Sequence, residues 1–386
     1  MENKGKVSWG TIFGVSSVAF GIHVGGGFAT GNQTVNFFVR YGWTAIFFPI
    51  ISMIILNLVF RSGLVSALIN KSTHYREWSD AVFSPVQMVF SNVYEVCYIV
   101  ILLLAVSASI AGSASLLQTY GISYGIGVLL TGAVFFLLTI FGKELIAKAS
   151  TFMTVCIVVC LLILCGLGLS HPNANLAAMA TPSNAPLGIG AAVWSMLQYA
   201  GYQAFTAATL SPFAASLKSK EAINKFTILN FVLNAAMTAL TAIMLLAWLP
   251  LLQGQTLPIL YIATEVGFGW LRHVYGIVLF FAFVSTGIGC IFGFVSRFEN
   301  KLLVKQLPNI THRRALTSLV SMVAAMAISM LGLTFIVARG YAYMGIIGIF
   351  LMIIPSLTFM WYRNAKGIAT SKKVLEEKAE ASEKAE

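Results

Sequence analysis

Long apolar runs recur along the whole chain and are separated by short polar stretches. A helix needs about 20 mainly apolar residues to cross roughly 30 Å of hydrocarbon. Ten runs meet this requirement, so the pattern predicts an all-α polytopic membrane protein with ten transmembrane helices. The predicted spans are residues 8–37, 42–69, 85–117, 122–141, 144–169, 187–212, 222–249, 271–296, 313–333 and 337–361.

The remaining polar stretches predict how the chain is organised around one membrane domain, residues 8–361. Residues 1–7 precede it, and residues 362–386 follow it as a charged tail that is rich in Lys and Glu from Ser371 onward. We expect that Lys/Glu-rich part to be solvated and frayed. Residues 252–270 are too polar to cross a bilayer, so we expect an external loop with short helical pieces.

Composition supports a membrane protein. The chain is 58% hydrophobic and 10% charged, with a mean hydropathy of +0.85, whereas about 25% of the residues in a soluble domain are charged. The five cysteines all lie within apolar runs, which favours neither a disulfide framework nor a metal site. The first apolar run is too long for a signal peptide and has no small-residue cleavage site.

The positions of the basic residues predict the orientation. With the N-terminus inside, all of the 24 Lys and Arg residues except Arg40, Arg272 and Arg339 fall on the cytoplasmic side. Cytoplasmic loops carry such an excess, so we expect a cell-membrane protein with both termini in the cytoplasm. This asymmetry accounts for the net charge of +11 and removes the need for a nucleic-acid partner.

Glycines interrupt the first predicted span. Five glycines and His23 lie among the eleven residues from Gly21 to Gly31, although a glycine inside a helix costs about 1 kcal/mol relative to alanine. The spacing of Gly26 and Gly31 is that of a phosphate-binding loop, but Asn32-Gln33 replaces the required Lys-Ser/Thr pair. Close helix packing is the other explanation for small residues. We favour a broken helix.

A second break is predicted in the sixth span, where Gln198, Gly201 and Gln203 lie at mid-membrane depth. Spans one and six each begin a set of five, and the two sets run in opposite directions. Interrupted helices at equivalent positions of inverted repeats, here about 8–169 and 187–361, are typical of transporter binding sites. Carbonyl groups freed by a break can hold a cation, and freed N–H groups favour an anion.

The stretch Val24-Gly-Gly-Gly-Phe-Ala-Thr-Gly31 resembles a signature of the YkvI-like amino acid permeases. These belong to the amino acid–polyamine–organocation superfamily and have the LeuT-type five-plus-five fold, with helices 1 and 6 broken. The resemblance covers about residues 8–361. It implies a symporter that moves a small amino acid or a related zwitterion by alternating access.

The resemblance also implies a sodium site between the first break and the eighth span. Phe28 stands where some relatives place an asparagine for a second sodium ion, so we expect one coupling Na⁺ at most. Uncharged oxygens suit a weakly bound monovalent cation, since a divalent ion usually recruits carboxylates. The alternative is that the hydroxyls of Ser285 and Thr286 only bond the backbone carbonyl groups of their own helix. The implied ligands are the carbonyl groups of Gly21, Val24 and Ala282 and the hydroxyls of Ser285 and Thr286.

Two titratable residues are candidates for coupling. Glu95 lies within the third span, and ionisable residues inside a membrane are functional hypotheses by default. His23 lies at the first break and is the side chain best suited to titrate near neutral pH. Glu95 could pair with a substrate ammonium or carry a coupling proton, with His23 as its partner. The alternatives are a structural partner for Glu95 near the cytoplasmic face and a neutral His23 that bonds a freed carbonyl.

The candidate substrate-binding residues lie around the two breaks and on the third span. Freed N–H groups would hold a carboxylate, and tyrosines with Glu95 would face an amine. The full set is Gly25, Gly26, Gly27, Glu95, Tyr98, Gln198, Tyr199 and Tyr202.

The sequence is also compatible with other functions. A proton-coupled transporter of a quaternary amine, a nucleobase-like compound or another small organic solute is the main alternative. An enzyme is disfavoured because the chain has no metal-ligand cluster, no Ser/His/Asp set in a plausible loop and no nucleotide-binding loop. We therefore expect a small-molecule substrate and the lipid bilayer as partners, and no cofactor other than the coupling ion.

Overall fold

The protein is represented by a computed structural model, which describes residues 7–72, 74–141, 143–181, 186–298, 307–371 and 374–376. The regular secondary structure of these ranges is helical, and none of them contains a strand. The predicted all-α fold is therefore confirmed for the described part of the chain.

In the first half of the chain, the described residues form nine α-helices and one long 3-10 segment, Val39–Ile46, which lies between the third and fourth helices. The helices are α1 Trp9–His23, α2 Gly26–Ala29, α3 Asn32–Phe37, α4 Phe48–Asn70, α5 Tyr75–Phe83, α6 Gln87–Gln118, α7 Tyr124–Phe141, α8 Lys143–Ser170 and α9 Leu176–Met179.

In the second half, the described residues up to Lys366 add ten α-helices, with 3-10 segments at Phe205–Phe213 and Leu249–Leu251 and π-helical segments at Ile336–Tyr341 and Ile349–Ile353. The helices are α10 Gly188–Ala204, α11 Ala214–Leu217, α12 Lys220–Ala247, α13 Pro258–Glu265, α14 Gly269–Phe298, α15 Ile310–Ser329, α16 Leu333–Phe335, α17 Ala342–Gly348, α18 Ile354–Leu357 and α19 Phe359–Lys366.

Several of these helices can cross a membrane by length and composition, which defines a multi-pass membrane protein. Five described stretches are long enough, and two shorter apolar helical stretches, Tyr124–Thr139 and Val155–Ser170, accompany them. The complete set of ten spans and its five-plus-five repeat stays a prediction. The five long stretches are Phe48–Asn70, Gln87–Gln118, Lys220–Ala247, Gly269–Ile291 and Leu333–Lys366.

Local signals explain where several helices begin. Ser8 caps α1 by accepting a hydrogen bond from the Thr11 amide at 3.1 Å, and Ser219 caps α12 in the same way. Such caps satisfy amide groups that lack a partner in the first turn. The second predicted span begins too early: α4 starts at Phe48 because the backbone at Gly42 is not helical, whereas Pro49 suits a first turn.

Backbone-to-backbone packing joins α10 to α17, one of the most extensive helix contacts in the structure. A Cβ atom added to Gly201 would overlap the carbonyl oxygen of Gly345, and one added to Gly348 would overlap the carbonyl oxygen of Gly201. Small residues let helices in membranes approach this closely. These two helices therefore form one closely packed unit.

The start of the charged tail is bound to the protein. The Asn70 side-chain oxygen accepts hydrogen bonds from the backbone amides of Thr370 at 2.7 Å and Ser371 at 2.9 Å, and the Thr370 hydroxyl bonds the Ala81 carbonyl at 2.7 Å. The expectation of a frayed tail is thus wrong at Ser371, whose amide has a partner at the end of α4. Residues 377–386 lie outside the described ranges.

Candidate functional site

The first predicted break is present in the structure. Helix α1 ends at His23, the turn at Val24 and Gly25 follows, and the short helix α2 begins at Gly26. A helix end leaves its last carbonyl groups without partners inside the helix, and Gly21 lies in that last turn. The glycine cluster therefore separates two helical pieces, as the sequence predicts.

Helix α14 lies against this break. The Thr286 hydroxyl oxygen lies 2.7 Å from the position that a Cβ atom on Gly25 would occupy, so only glycine leaves room for it there. The Tyr275 hydroxyl donates a hydrogen bond to the Ala29 carbonyl at the other end of α2. Val24 and Ala282 are both buried. The structure thus brings the eighth predicted span to the first break.

The second interruption lies later than predicted. Helix α10 runs without a break through Gln198, Gly201 and Gln203, and the chain changes to a 3-10 helix only at Phe205. Gly201 serves the close contact with α17 instead of a break. At the change, the Tyr94 hydroxyl bonds the Phe205 carbonyl at 2.9 Å, so that a side chain of α6 satisfies the backbone there.

His23 is buried, with 3% of its surface exposed. Its Nε2 atom lies 2.8 Å from the hydroxyl oxygen of Tyr199 on α10. On α12, the Asn234 amide donates to Asn230, whose own amide donates to Asn57 of α4 at 2.7 Å. The hydrogen-bond partner of the histidine is therefore a phenol instead of a freed carbonyl.

Glu95 lies near the beginning of α6 and contacts α5. Arg76 donates a hydrogen bond to its carboxylate at 2.6 Å, and the Tyr75 hydroxyl lies 3.4 Å from it. The carboxylate is largely buried, with 16% of the side chain exposed. This pairing favours the structural alternative for Glu95, and a substrate or proton role stays a prediction.

Tyr98 occupies the same side of α6 one turn later. Its ring stacks on Tyr75 with centroids 5.1 Å apart, and its hydroxyl lies 3.1 Å from the hydroxyl of Thr209 in the second interruption. It therefore connects α5 and α6 to the 3-10 segment 205–213. The structure sets Tyr98 and Glu95 against α5, and it sets Tyr199 against the first break.

Two side chains that the sequence did not single out, Gln33 and Tyr341, contact the predicted substrate residue Tyr202 and join the two candidate regions. The Tyr202 hydroxyl donates to the side-chain oxygen of Gln33 at 3.1 Å, and the Gln203 amide lies 3.5 Å from the same hydroxyl. Tyr341 stacks on Tyr202 at a centroid distance of 4.8 Å. Gln203 is selected as a polar residue inside an apolar run and Gln33 could have been selected in the same way, but nothing in the sequence indicates that they meet.

The C-terminal end of the break is fixed by residues 252–270, the predicted external loop, which contains the short helix α13. The Thr30 carbonyl accepts a hydrogen bond from the Ile259 amide at 3.1 Å. The Asn32 side chain donates to the Thr256 carbonyl at 3.0 Å and to the Thr334 hydroxyl at 2.9 Å. A cavity of about 460 Å³ lies beside this loop and is lined in part by α6 and α14.

Comparison with known proteins identifies the fold. No protein-family model and no curated protein matches the chain. Among solved structures, MhsT in complex with L-phenylalanine has a TM-score of 0.64 at 12% identity, covering 94% of this chain and 99% of that one. Inward-facing Mhp1 has a TM-score of 0.61 at 11% identity, covering 90% and 76%.

A manganese transporter of Eremococcus coleocola has a TM-score of 0.60 at 13% identity, covering 90% of this chain and 78% of that one. All three neighbours are transporters of the LeuT fold. At these identities the comparison shows the fold, so the chain is a multi-pass membrane protein with the LeuT fold.

Proposed function

We propose that the chain is a secondary active transporter, and not an enzyme, that moves a small amino acid or a related zwitterion across the cell membrane by alternating access. The observation that carries this proposal is the broken first helix with Thr286 of α14 set against Gly25, within a fold shared with three transporters. Irregular backbone at membrane depth is tolerated where it is buried in protein or lines a cavity.

The proposed organisation is that of the predicted topology: ten spans in two inverted repeats, with both termini in the cytoplasm. The narrower relationship to YkvI-like permeases rests on the Val24–Gly31 signature. In this arrangement the backbone around Gly25, Gly26 and Gly27 takes the substrate carboxylate, and aromatic faces of Tyr199 and Tyr202 border the rest of the substrate.

The proposed coupling ion is one Na⁺. Its ligands would be the carbonyl groups of the last turn of α1 and of Ala282, with the hydroxyls of Ser285 and Thr286. The contact of Thr286 with Gly25 supports this proposal because it puts a hydroxyl at the helix break. Phe28 is fully buried and its ring centroid lies 5.6 Å from that of His23, which supports a single ion site.

One observation favours a second candidate function. The Tyr202 and Tyr341 rings are stacked at an interplanar angle of 19° beside two carboxamides, a setting that suits a flat, nucleobase-like solute. Mhp1 is described as a nucleobase-cation-symport-1 transporter. The described residues contain no group of three His, Cys, Asp or Glu that could hold a divalent metal ion.

Thermal stability of the purified chain tests the proposal. We would compare NaCl with choline chloride across a panel of amino acids, betaines and nucleobases, since a ligand stabilises the folded state by about RT ln(1 + [L]/Kd). We expect NaCl to stabilise the chain relative to choline chloride, and we expect this stabilisation to increase when an amino acid is added. That stabilisation should be lost in Thr286→Val and retained in Thr139→Val, a buried threonine that bonds its own helix at Phe135.

Three results would change the proposal. Stabilisation by a nucleobase would favour the second candidate. Equal stability in both salts would replace sodium coupling by proton coupling, which uptake under an imposed pH gradient would then measure. Stabilisation by none of the solutes, together with no uptake by vesicles that contain the protein, would contradict the transporter itself.

A further inference from the structure

Gln33 is a polar side chain that lies beside the glycine cluster of the first helix. It is buried, with 6% of its surface exposed, and lies on α3 just beyond the break. Its side-chain nitrogen fills the space beside Gly27, where a Cβ atom would overlap it. Gly25 and Gly27 keep some accessible surface although Val24 and Phe28 are buried. The amide of Gln33 therefore lies beside backbone at the break that keeps some accessible surface.

The hydrogen bonds around Gln33 fix which end of its amide faces Gly27. A tyrosine hydroxyl has one proton to donate, and that of Tyr202 goes to the Gln33 oxygen at 3.1 Å. The Gln203 nitrogen is the donor to the same hydroxyl, at 3.5 Å. Gln203 therefore donates to Tyr202, and Tyr202 donates to Gln33. The Gln33 oxygen is thereby occupied, and its NH₂ group is directed at the break.

We propose that the NH₂ group of Gln33 binds the substrate carboxylate and makes the transporter select zwitterions over the corresponding amines. This role rests on the proposed function and names the group that recognises the acid. A neutral amide donor suits the site because a carboxylate accepts hydrogen bonds only, and bonds to charged groups are stronger than those between neutral groups. The Tyr202 hydroxyl has a positioning role, since it orients the amide, whereas the face of its ring borders the rest of the substrate.

A purely structural role for Gln33 makes a different prediction. If the amide only fills the space beside Gly27, its removal weakens every ligand equally, with or without a carboxylate. If it binds the acid, its removal weakens carboxylate ligands alone. The affinity ratio between an amino acid and its decarboxylated amine separates the two cases.

The test uses the purified full chain and three pairs of probes: L-alanine with ethylamine, L-leucine with 3-methylbutylamine and L-phenylalanine with phenethylamine. Apparent affinities come from the concentration dependence of thermal stabilisation in NaCl. We expect the wild-type chain to prefer at least one amino acid over its amine. In Gln33→Leu that amino acid should bind about tenfold more weakly, with less than a twofold change for the amine.

Asn36→Leu is the matched control, because it removes another carboxamide from the same short helix. The Asn36 carboxamide bonds Asn32 instead of Tyr202. Asn36→Leu should leave the affinity ratio unchanged. Tyr202→Phe provides a second test if Gln33→Leu does not fold, since it keeps the ring and removes the hydroxyl that orients Gln33. In Tyr202→Phe we expect the affinity ratio between the amino acid and its amine to fall by about threefold or more.

The possible results separate this inference from the proposed function. An unchanged ratio in Gln33→Leu, or in Tyr202→Phe when the first variant does not fold, overturns the role of Gln33 while the wild-type affinity keeps the transporter proposal standing. A wild-type chain that binds none of the amino acids contradicts the proposed substrate class, and the carboxylate role of Gln33 fails with it.

Discussion

The Nε2 atom of His23 lies 2.8 Å from the hydroxyl oxygen of Tyr199, and this hydrogen bond joins the end of α1 to α10 inside the membrane domain. Both side chains are buried. A polar group buried without a partner costs more free energy than a satisfied hydrogen bond gains. The pair therefore holds the first broken helix in place next to the helix that leads to the second interruption.

Tyr199→Phe should lower the free energy of unfolding by about 1–3 kcal/mol, because it leaves the His23 nitrogen without its partner. His23→Leu should have a similar effect, and the double variant should lose less than the sum by about 1 kcal/mol. Denaturant unfolding of the four proteins measures this coupling. Tyr343→Phe, at a tyrosine that is 60% exposed, is the control and should change stability little. Strict additivity of the two single changes would contradict the interaction.

The packing of α10 on α17 predicts a large effect of one methyl group. Gly201→Ala would force apart two backbones at the Gly345 carbonyl, so we expect a loss of about 1–3 kcal/mol, as for other overpacked interiors. Gly190→Ala lies on the same helix with no atom within 4 Å of the added Cβ and should stabilise by about 0.5–1 kcal/mol. Melting temperatures of the two variants compare them directly, and equal values would contradict the close contact.

The pairing of Glu95 with Arg76 predicts the outcome of a carboxylate replacement. We expect Glu95→Gln and Arg76→Leu each to cost about 1–2 kcal/mol, less than at a fully buried pair, since the Arg76 side chain is 32% exposed. The double variant should cost less than the sum.

Uptake normalised to folded protein measures the function of the same variants. Near-normal uptake in Glu95→Gln is the expected result of a structural pair. Loss of uptake in Glu95→Gln but not in Arg76→Leu would instead support a role of Glu95 in binding the substrate or carrying a proton.

Hydropathy and glycine content predicted the parts of this protein that depend on local sequence. Apolar runs predicted the positions of the long helices, because a helix needs about 20 mainly apolar residues to cross the hydrocarbon core. The cluster from Gly21 to Gly31 gave the first break, since consecutive glycines weaken a helix wherever they occur.

Contacts between residues far apart in the chain could not be predicted. A glycine in an apolar run has the same appearance whether it breaks a helix or admits a neighbouring backbone, so Gly201 suggested a break where the structure has close packing. The bonds of Gln33 with Tyr202 and of Glu95 with Arg76 depend on how helices turn toward each other, which one sequence does not specify.

The attachment of residues 370 and 371 to Asn70 predicts how the end of the chain is held. Asn70→Ala removes the acceptor of two backbone amides, so the amides of Thr370 and Ser371 should exchange hydrogen with solvent faster by about tenfold or more, as one hydrogen bond contributes roughly 1–1.5 kcal/mol. Asn92→Ala is the control, because that amide bonds only its own helix at Met88 and lies far from the C-terminal segment in sequence. Hydrogen exchange resolved by mass spectrometry measures both variants. Unchanged exchange in Asn70→Ala would mean that the Thr370 hydroxyl bond to Ala81 holds the segment without Asn70, which Thr370→Val would then release.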